Sequence, residues 1–163
     1  MDIHLSPISP DDRDAVVDLF NHYVADGFAA FPEDPLPPVI FDKLLEATAG
    51  RPTVTAKDSE GKLLAFGLLR PHGAFPTAAH VAEITYFVAP EHTGQGIGAQ
   101  LLADLEARGK EQGVRTILAP ISSLNEGSLA FHAKHGFVEA GRFRDACIKN
   151  GTSFDVVWMQ KML

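Results

Sequence analysis

The chain has 163 residues, 45% hydrophobic and 21% charged, the balance of an ordinary water-soluble globule long enough to bury a sizeable core. Its 14 basic and 21 acidic residues leave a net charge of −7 with no basic cluster, which argues against nucleic acid as a partner. The lone cysteine, Cys147, has neither a disulfide partner nor zinc-site spacing, no segment reaches the ~18 apolar residues of a membrane span, and the start Met-Asp-Ile-His-Leu-Ser-Pro is no secretory leader, so a cytoplasmic, metal-free, single-domain protein over residues 1–163 is expected.

Residues 3–8 alternate as a short strand. Ser9-Pro10-Asp11-Asp12 then supplies the cap, proline and acidic first turn of a helix on which Val16, Leu19, Phe20 and Tyr23 recur at helical spacing. The stretch 28–38 holds four of the eleven prolines, so it is predicted as a shaped loop and part of a substrate wall. A second helix, 39–48, presents Ile40, Leu44 and Leu45 and stops at Gly50. Strands at 53–57 and 63–70 are joined by the hairpin signal Asp58-Ser59-Glu60-Gly61, and 71–79 is another surface loop. An apolar strand at 83–89 leads through a glycine-rich turn into a helix at 96–112 that stacks Ile97, Leu101, Leu102 and Leu105 on one face. With the strand at 114–121 this makes a βαβ unit whose turn lies at the strand's C-terminal end, where open sheets place ligands. A short helix at 125–135 and two strands, 137–148 and 154–162, around Asn150-Gly151 complete an α/β chain.

Gly94, Gly96 and Gly98 remove the Cβ atoms that would hold a bulky ligand away from the backbone. The unpaired N–H groups of a helix start lie at the positive end of its dipole, so this turn suits a phosphate or pyrophosphate. A P-loop is excluded because no lysine follows the glycines. Gly94, Gly96 and Ala99 satisfy the loose dinucleotide fingerprint, but the acidic residue that fold requires is missing between Gly113 and Asn125. From this stretch alone, a helix entry that binds nothing stays open.

Thr93-Gly94-Gln95-Gly96-Ile97-Gly98 resembles the coenzyme motif Arg/Gln-x-x-Gly-x-Gly/Ala of the GNAT superfamily of N-acetyltransferases, and 121–125 followed by 128–137 resembles that superfamily's Asn-to-Gly-Phe segment. Within it the chain is most similar to the phosphinothricin acetyltransferase-like branch. The similarity lies in Asn21-His22-Tyr23, residues 31–35, Glu83 ahead of Tyr86-Phe87-Val88-Ala89-Pro90, His132, and Lys149-Asn150-Gly151 with Asp155-Val156-Val157. It implies the GNAT fold, a mixed central sheet of six to seven strands with about four helices. It also implies a homodimer and acetyl-CoA as co-substrate for acetylating the primary amine of a small molecule, an amino acid or an analogue such as phosphinothricin or methionine sulfoximine. Three departures stand out: Thr93 replaces the usual Arg or Gln, Ser153 replaces a tryptophan, and 71–79 lacks the branch's Arg and Tyr pattern.

By the same resemblance, the strands at 83–89 and 114–121 splay to grip the pantetheine arm. Phe87, Val88, Thr93, Gly94, Gln95, Gly96, Ile97, Gly98, Asn125 and Ser128 are then coenzyme contacts, although Asn125 would equally serve as a helix cap. Glu83 is a carboxylate in an apolar strand, where an unpaired charge is expensive; it is expected to be the general base, the alternative being the solvent face of an edge strand. His132 titrates near neutrality and would protonate the thiolate or act as base with Glu83. Phe31, Arg70, Glu83 and Lys149 are expected to meet the amine substrate, the two cations pairing with a carboxylate. The acidic net charge would instead suit a polyamine or aminoglycoside, and a non-catalytic acyl-CoA-binding sensor is the alternative of another class.

Overall fold

The computed structural model describes residues 2–163. Along the chain run β1 (His4–Ser6), α1 (Arg13–Ala25), α2 (Ile40–Ala47), β2 (Thr53–Lys57), β3 (Leu63–Pro71), β4 (Val81–Val88), α3 (Ile97–Glu111), β5 (Thr116–Ser122), α4 (Glu126–Lys134), β6 (Val138–Lys149) and β7 (Thr152–Met162), the order expected from the sequence. The strands form one seven-stranded sheet ordered β1-β2-β3-β4-β5-β7-β6, in which only β4 and β5 pair in parallel. Ends differ by a few residues where tertiary pairing decides them. Thus β4 starts at Val81 rather than 83 because its ladder with β3 runs to Pro71↔Ala82.

Each sheet face has its own core. The helical stripe Ile97, Leu101, Leu102 and Leu105 is at most 2% exposed and packs α3 on one face with Tyr86, Val88, Leu129 and Phe131. Each such side chain contributes about 1.5–3 kcal/mol of burial. On the other face Val16, Val17 and Leu19 of α1 and Phe41 of α2 meet Phe66, Phe87 and Ala89. Gly67 of β3 lets the first core close, since a Cβ there would stand 2.9 Å from Tyr86 Cβ and 3.1 Å from Leu105 Cδ1.

Two features position the site. The β4–β5 ladder stops at Glu83↔Leu118, while β4 stays on β3 as far as Val88↔Ala65 and β5 stays on β7 as far as Ser122↔Val156. The parallel pair therefore parts at its C-terminal end. Pro120, with no N–H to offer, lies in this parted stretch.

The second feature is the proline-rich segment between α1 and α2, which is pinned at several points. The Asn21 amide bonds both the N–H and the C=O of Leu36, at 2.8 and 2.9 Å. Lys149 Nζ donates to the carbonyls of Gly27 and Ala30, both at 2.8 Å, and Asn150 N–H donates to Glu33 Oε1 at 2.7 Å. Phe28 and Phe31 rest on Phe154, with ring centroids 5.5 and 5.9 Å away. Asn150 and Gly151 form the turn beneath, with φ values of 50° and 78°, as a two-residue hairpin of strands with right-handed twist requires.

Candidate active site

A cavity of about 870 Å³, within the range of small-ligand sites, fills the gap between the parted strands. It passes through the sheet. At the α3–α4 end it is lined by the glycine turn, Asn125, Ser128 and His132, and at the α1–α2 end by Phe20, Tyr23, Phe31 and Arg70. Side chains from both faces of β4, Thr85 and Phe87 on one and Ile84, Tyr86 and Val88 on the other, lie along it.

Gly94 and Gly96 adopt φ values of 74° and 82°, and a Cβ at either would project into open space with nothing within 4 Å. The turn is thus a bare backbone cradle at the start of α3, matching an anionic coenzyme. Thr93 Oγ1 donates back to the Pro90 carbonyl at 2.9 Å, and Gln95 Nε2 donates to that of Glu91 at 3.1 Å, so both side chains shape the turn. Asn125 Oδ1 accepts from Ser128 N–H at 3.2 Å, capping α4 while it lines the cavity.

The cradle yields a prediction with an internal control. Valine in a left-handed conformation costs about 1–2 kcal/mol wherever it is placed. Gly96→Val and Gly61→Val, at φ 82° and 84°, should therefore lose similar thermal stability. Only Gly96→Val should lose acetyl-CoA affinity in a calorimetric titration, by about tenfold or more. Equal affinities would show that the turn holds no phosphate.

His132 is 4% exposed and held at both ring nitrogens. Nδ1 lies 2.7 Å from the Ser128 carbonyl and Nε2 lies 2.6 Å from Tyr86 Oη. Burial holds its pKa below the usual histidine range and pushes that of Tyr86 upward, the Glu106 carboxylate adding to the latter. Glu83 points to the other face of β4. Its Oε2 is bonded by Arg70 Nη2, directly across the β3–β4 ladder, and its Oε1 lies 2.8 Å from His72 Nδ1.

Comparison with known proteins decides the family. Residues 16–137 match the model of the Acetyltransferase (GNAT) family. The chain belongs to this GNAT acetyltransferase family. It is 30% identical over 166 residues to phosphinothricin N-acetyltransferase of Streptomyces coelicolor, covering 99% of this chain and 97% of that protein. It is 34% identical over 164 residues to phosphinothricin N-acetyltransferase of Alcaligenes faecalis, covering 96% and 80%. The crystal structure of a GNAT superfamily phosphinothricin acetyltransferase from Sinorhizobium meliloti, in complex with AcCoA, superposes with a TM-score of 0.93 at 25% identity over 100% of this chain and 89% of that one.

In this GNAT chain the cavity brings together most of the residues expected at the site: Phe87, Val88, Thr93, Gly94, Gly96, Ile97, Gly98, Asn125, Ser128 and His132, with Phe31 and Arg70 at the far end. Glu83, Gln95 and Lys149 do not line it. Glu83 and His132 are not partners, because strand alternation sends Glu83 and Tyr86 to opposite faces and His132 bonds Tyr86. Lys149 is 1% exposed, and its ammonium is spent on the loop carbonyls rather than offered to a substrate carboxylate. Desolvation holds its pKa below the usual lysine range.

Motif reading passed over Tyr86, which lines the cavity, and His72, which bonds Glu83 outside it. Alternation along β4 was the available signal for Tyr86, since it lies two residues from Val88 and so on the same face. Nothing local marked His72, which follows the last residue of β3.

Proposed function

We propose that this GNAT acetyltransferase moves the acetyl group of acetyl-CoA to the primary amine of a small amino acid or analogue of the phosphinothricin or methionine sulfoximine type. One observation carries the reading: the cavity links the bare glycine cradle to an arginine through the gap between β4 and β5. Acetyl-CoA supplies the activated acyl group as a thioester. The amides of Gly94, Gly96 and Gly98 would hold its phosphates, and the β4 backbone near Val88 would face its acyl end. Phe31 and the pinned loop wall the amine's side. Arg70 lines that end, and a guanidinium there suits an acid group and disfavours a polycation such as a polyamine or aminoglycoside. His132 would handle the proton. Thr93 offers the coenzyme no side chain, but a buried Tyr–His pair in the cavity favours an enzyme over an acyl-CoA-binding sensor.

The lone unpaired Cys147 fits a reducing, cytoplasmic setting. A homodimer is supported by Val138, Phe143 and Met162, 65%, 63% and 69% exposed, which share the sheet face left uncovered beyond the α1–α2 layer. Titration of acetyl-CoA followed by free-thiol release against amino acids, sulfoximines, polyamines and aminoglycosides tests the reading, with sedimentation of the same sample testing the dimer. Release is expected with acidic amino-acid analogues. Binding without release across the panel would favour the sensor.

A further inference from the structure

We propose that Tyr86 is a catalytic residue of this acetyl transfer, its hydroxyl carrying the proton from the attacking amine to His132 and returning it to the departing sulfur. The inference rests on the acetyltransferase reading above and assigns the proton path within it.

The wiring of the pair carries the proposal. His132 Nδ1 lies 2.7 Å from the Ser128 carbonyl, which only accepts, and 3.2 Å from Ser128 Oγ, which can accept as well; the shorter carbonyl contact assigns the ring's hydrogen to Nδ1. Nε2 is then a lone pair, and the Tyr86 hydroxyl 2.6 Å away donates to it. Both nitrogens of a histidine that is 4% exposed are thereby covered, one by Ser128 and the other by Tyr86. A proton that reaches the imidazole must pass through the tyrosine oxygen. Gly67 makes room for that oxygen's placement, because any side chain at 67 would displace Tyr86.

The transfer balances within the pair. A nitrogen–carbon bond forms and a carbon–sulfur bond breaks; nitrogen loses one proton and sulfur gains one. Tyr86 Oη takes the first proton as it passes its own to His132 Nε2, then yields a proton to sulfur as Nε2 returns the stored one. Both residues end as they began. Burial keeps the resting imidazole neutral to lower pH than an ordinary histidine, leaving Nε2 free to accept across the physiological range. The charged and titratable groups around the pair are Glu106 of α3, bonded at 2.6 Å to Lys161 of β7, His135, whose Nδ1 lies 2.8 Å from the Phe131 carbonyl, and Lys134 on the cavity wall. None of these is hydrogen-bonded to Tyr86 or His132 among the described residues. Phe131 and Phe137 close the rest, at ring-centroid distances of 5.5 and 4.9 Å from His132.

Tyr86→Phe keeps the ring and removes only the oxygen. It should lower kcat by about 10²–10³-fold, the range of general acid–base contributions. The amine KM and the acetyl-CoA affinity should stay within about twofold. His132→Gln should cost as much, and the double variant no more than either alone. The acid limb of the wild-type kcat/KM profile, lying below the ordinary histidine range, should vanish in both single variants. A Tyr86→Phe enzyme with wild-type kcat overturns the relay and leaves the acetyltransferase reading standing. So does a double variant whose losses multiply. Nitrogen NMR of the histidine side chains in the free protein decides the wiring without turnover. An Nδ1–H tautomer whose Nε2 resonance shifts in Tyr86→Phe is expected, and an Nε2–H tautomer overturns the relay whatever the kinetics. Absence of thiol release from the wild type across all amines would sink the acetyltransferase reading instead.

Discussion

Lys149→Met is expected to raise the amine KM by about tenfold, a loss near 1.4 kcal/mol, while acetyl-CoA affinity stays as in the wild type. The lysine ties the β6–β7 turn to the Gly27 and Ala30 carbonyls and so fixes the segment carrying Phe31. Methionine keeps the stem and removes all three donors. Each orphaned carbonyl costs about 1–3 kcal/mol if it stays buried, partly offset because an ammonium no longer has to be desolvated. The net destabilisation should be about 1–3 kcal/mol, which for a chain of this size lowers the melting midpoint by about 2–4 °C per kcal/mol. Asn21 and Glu33 still hold the segment elsewhere, so it should loosen around Phe31 rather than detach. Steady-state kinetics beside a thermal melt separates the outcomes. A lysine acting directly on a substrate carboxylate would raise KM with no fall in the midpoint, and that result would contradict the clamp.

How much of this was legible beforehand depends on whether the signal was local. The stripe Ile97, Leu101, Leu102 and Leu105 is a helical period, and it is buried as read. The Asn150-Gly151 turn is dictated by dihedrals and falls where predicted. The parting of β4 and β5 has no composition of its own; it was anticipated only through the family resemblance. Lys149 shows the limit most sharply. A lysine beside a hairpin turn reads as solvated charge or substrate cation, and only carbonyls 122 and 119 positions away make it a buried clamp. The Tyr86–His132 bond, across 46 positions, was hidden in the same way. Residue types mark a potential partner, whereas the sheet decides who meets whom.

Glu83→Gln should leave kcat within about tenfold of wild type and raise the amine KM by about tenfold, the pattern of lost ground-state positioning. A carboxylate in an apolar strand invites the role of general base, but here each oxygen is engaged, one by Arg70 and the other by His72, and the side chain does not line the cavity. Of the three, Arg70 alone reaches the cavity wall, and Glu83 orients it there. Glutamine retains one acceptor oxygen and loses the charge, so Arg70 would be held less firmly. The Arg70 and His72 side chains are 44% and 41% exposed but that of Glu83 is only 10% exposed, so the pair is half-buried and its loss should cost stability more than the ~0.2–1 kcal/mol of a fully exposed pair. Arg70→Gln should raise KM to a similar degree, and the double variant should add little, since both changes remove the same oriented guanidinium. A base role predicts otherwise: kcat would fall by about 10²–10⁴-fold in Glu83→Gln with KM unmoved, and Arg70→Gln would not reproduce that fall. The pH profile discriminates further, because the acid limb assigned to His132 should survive Glu83→Gln intact and vanish only with the groups on the opposite face of β4.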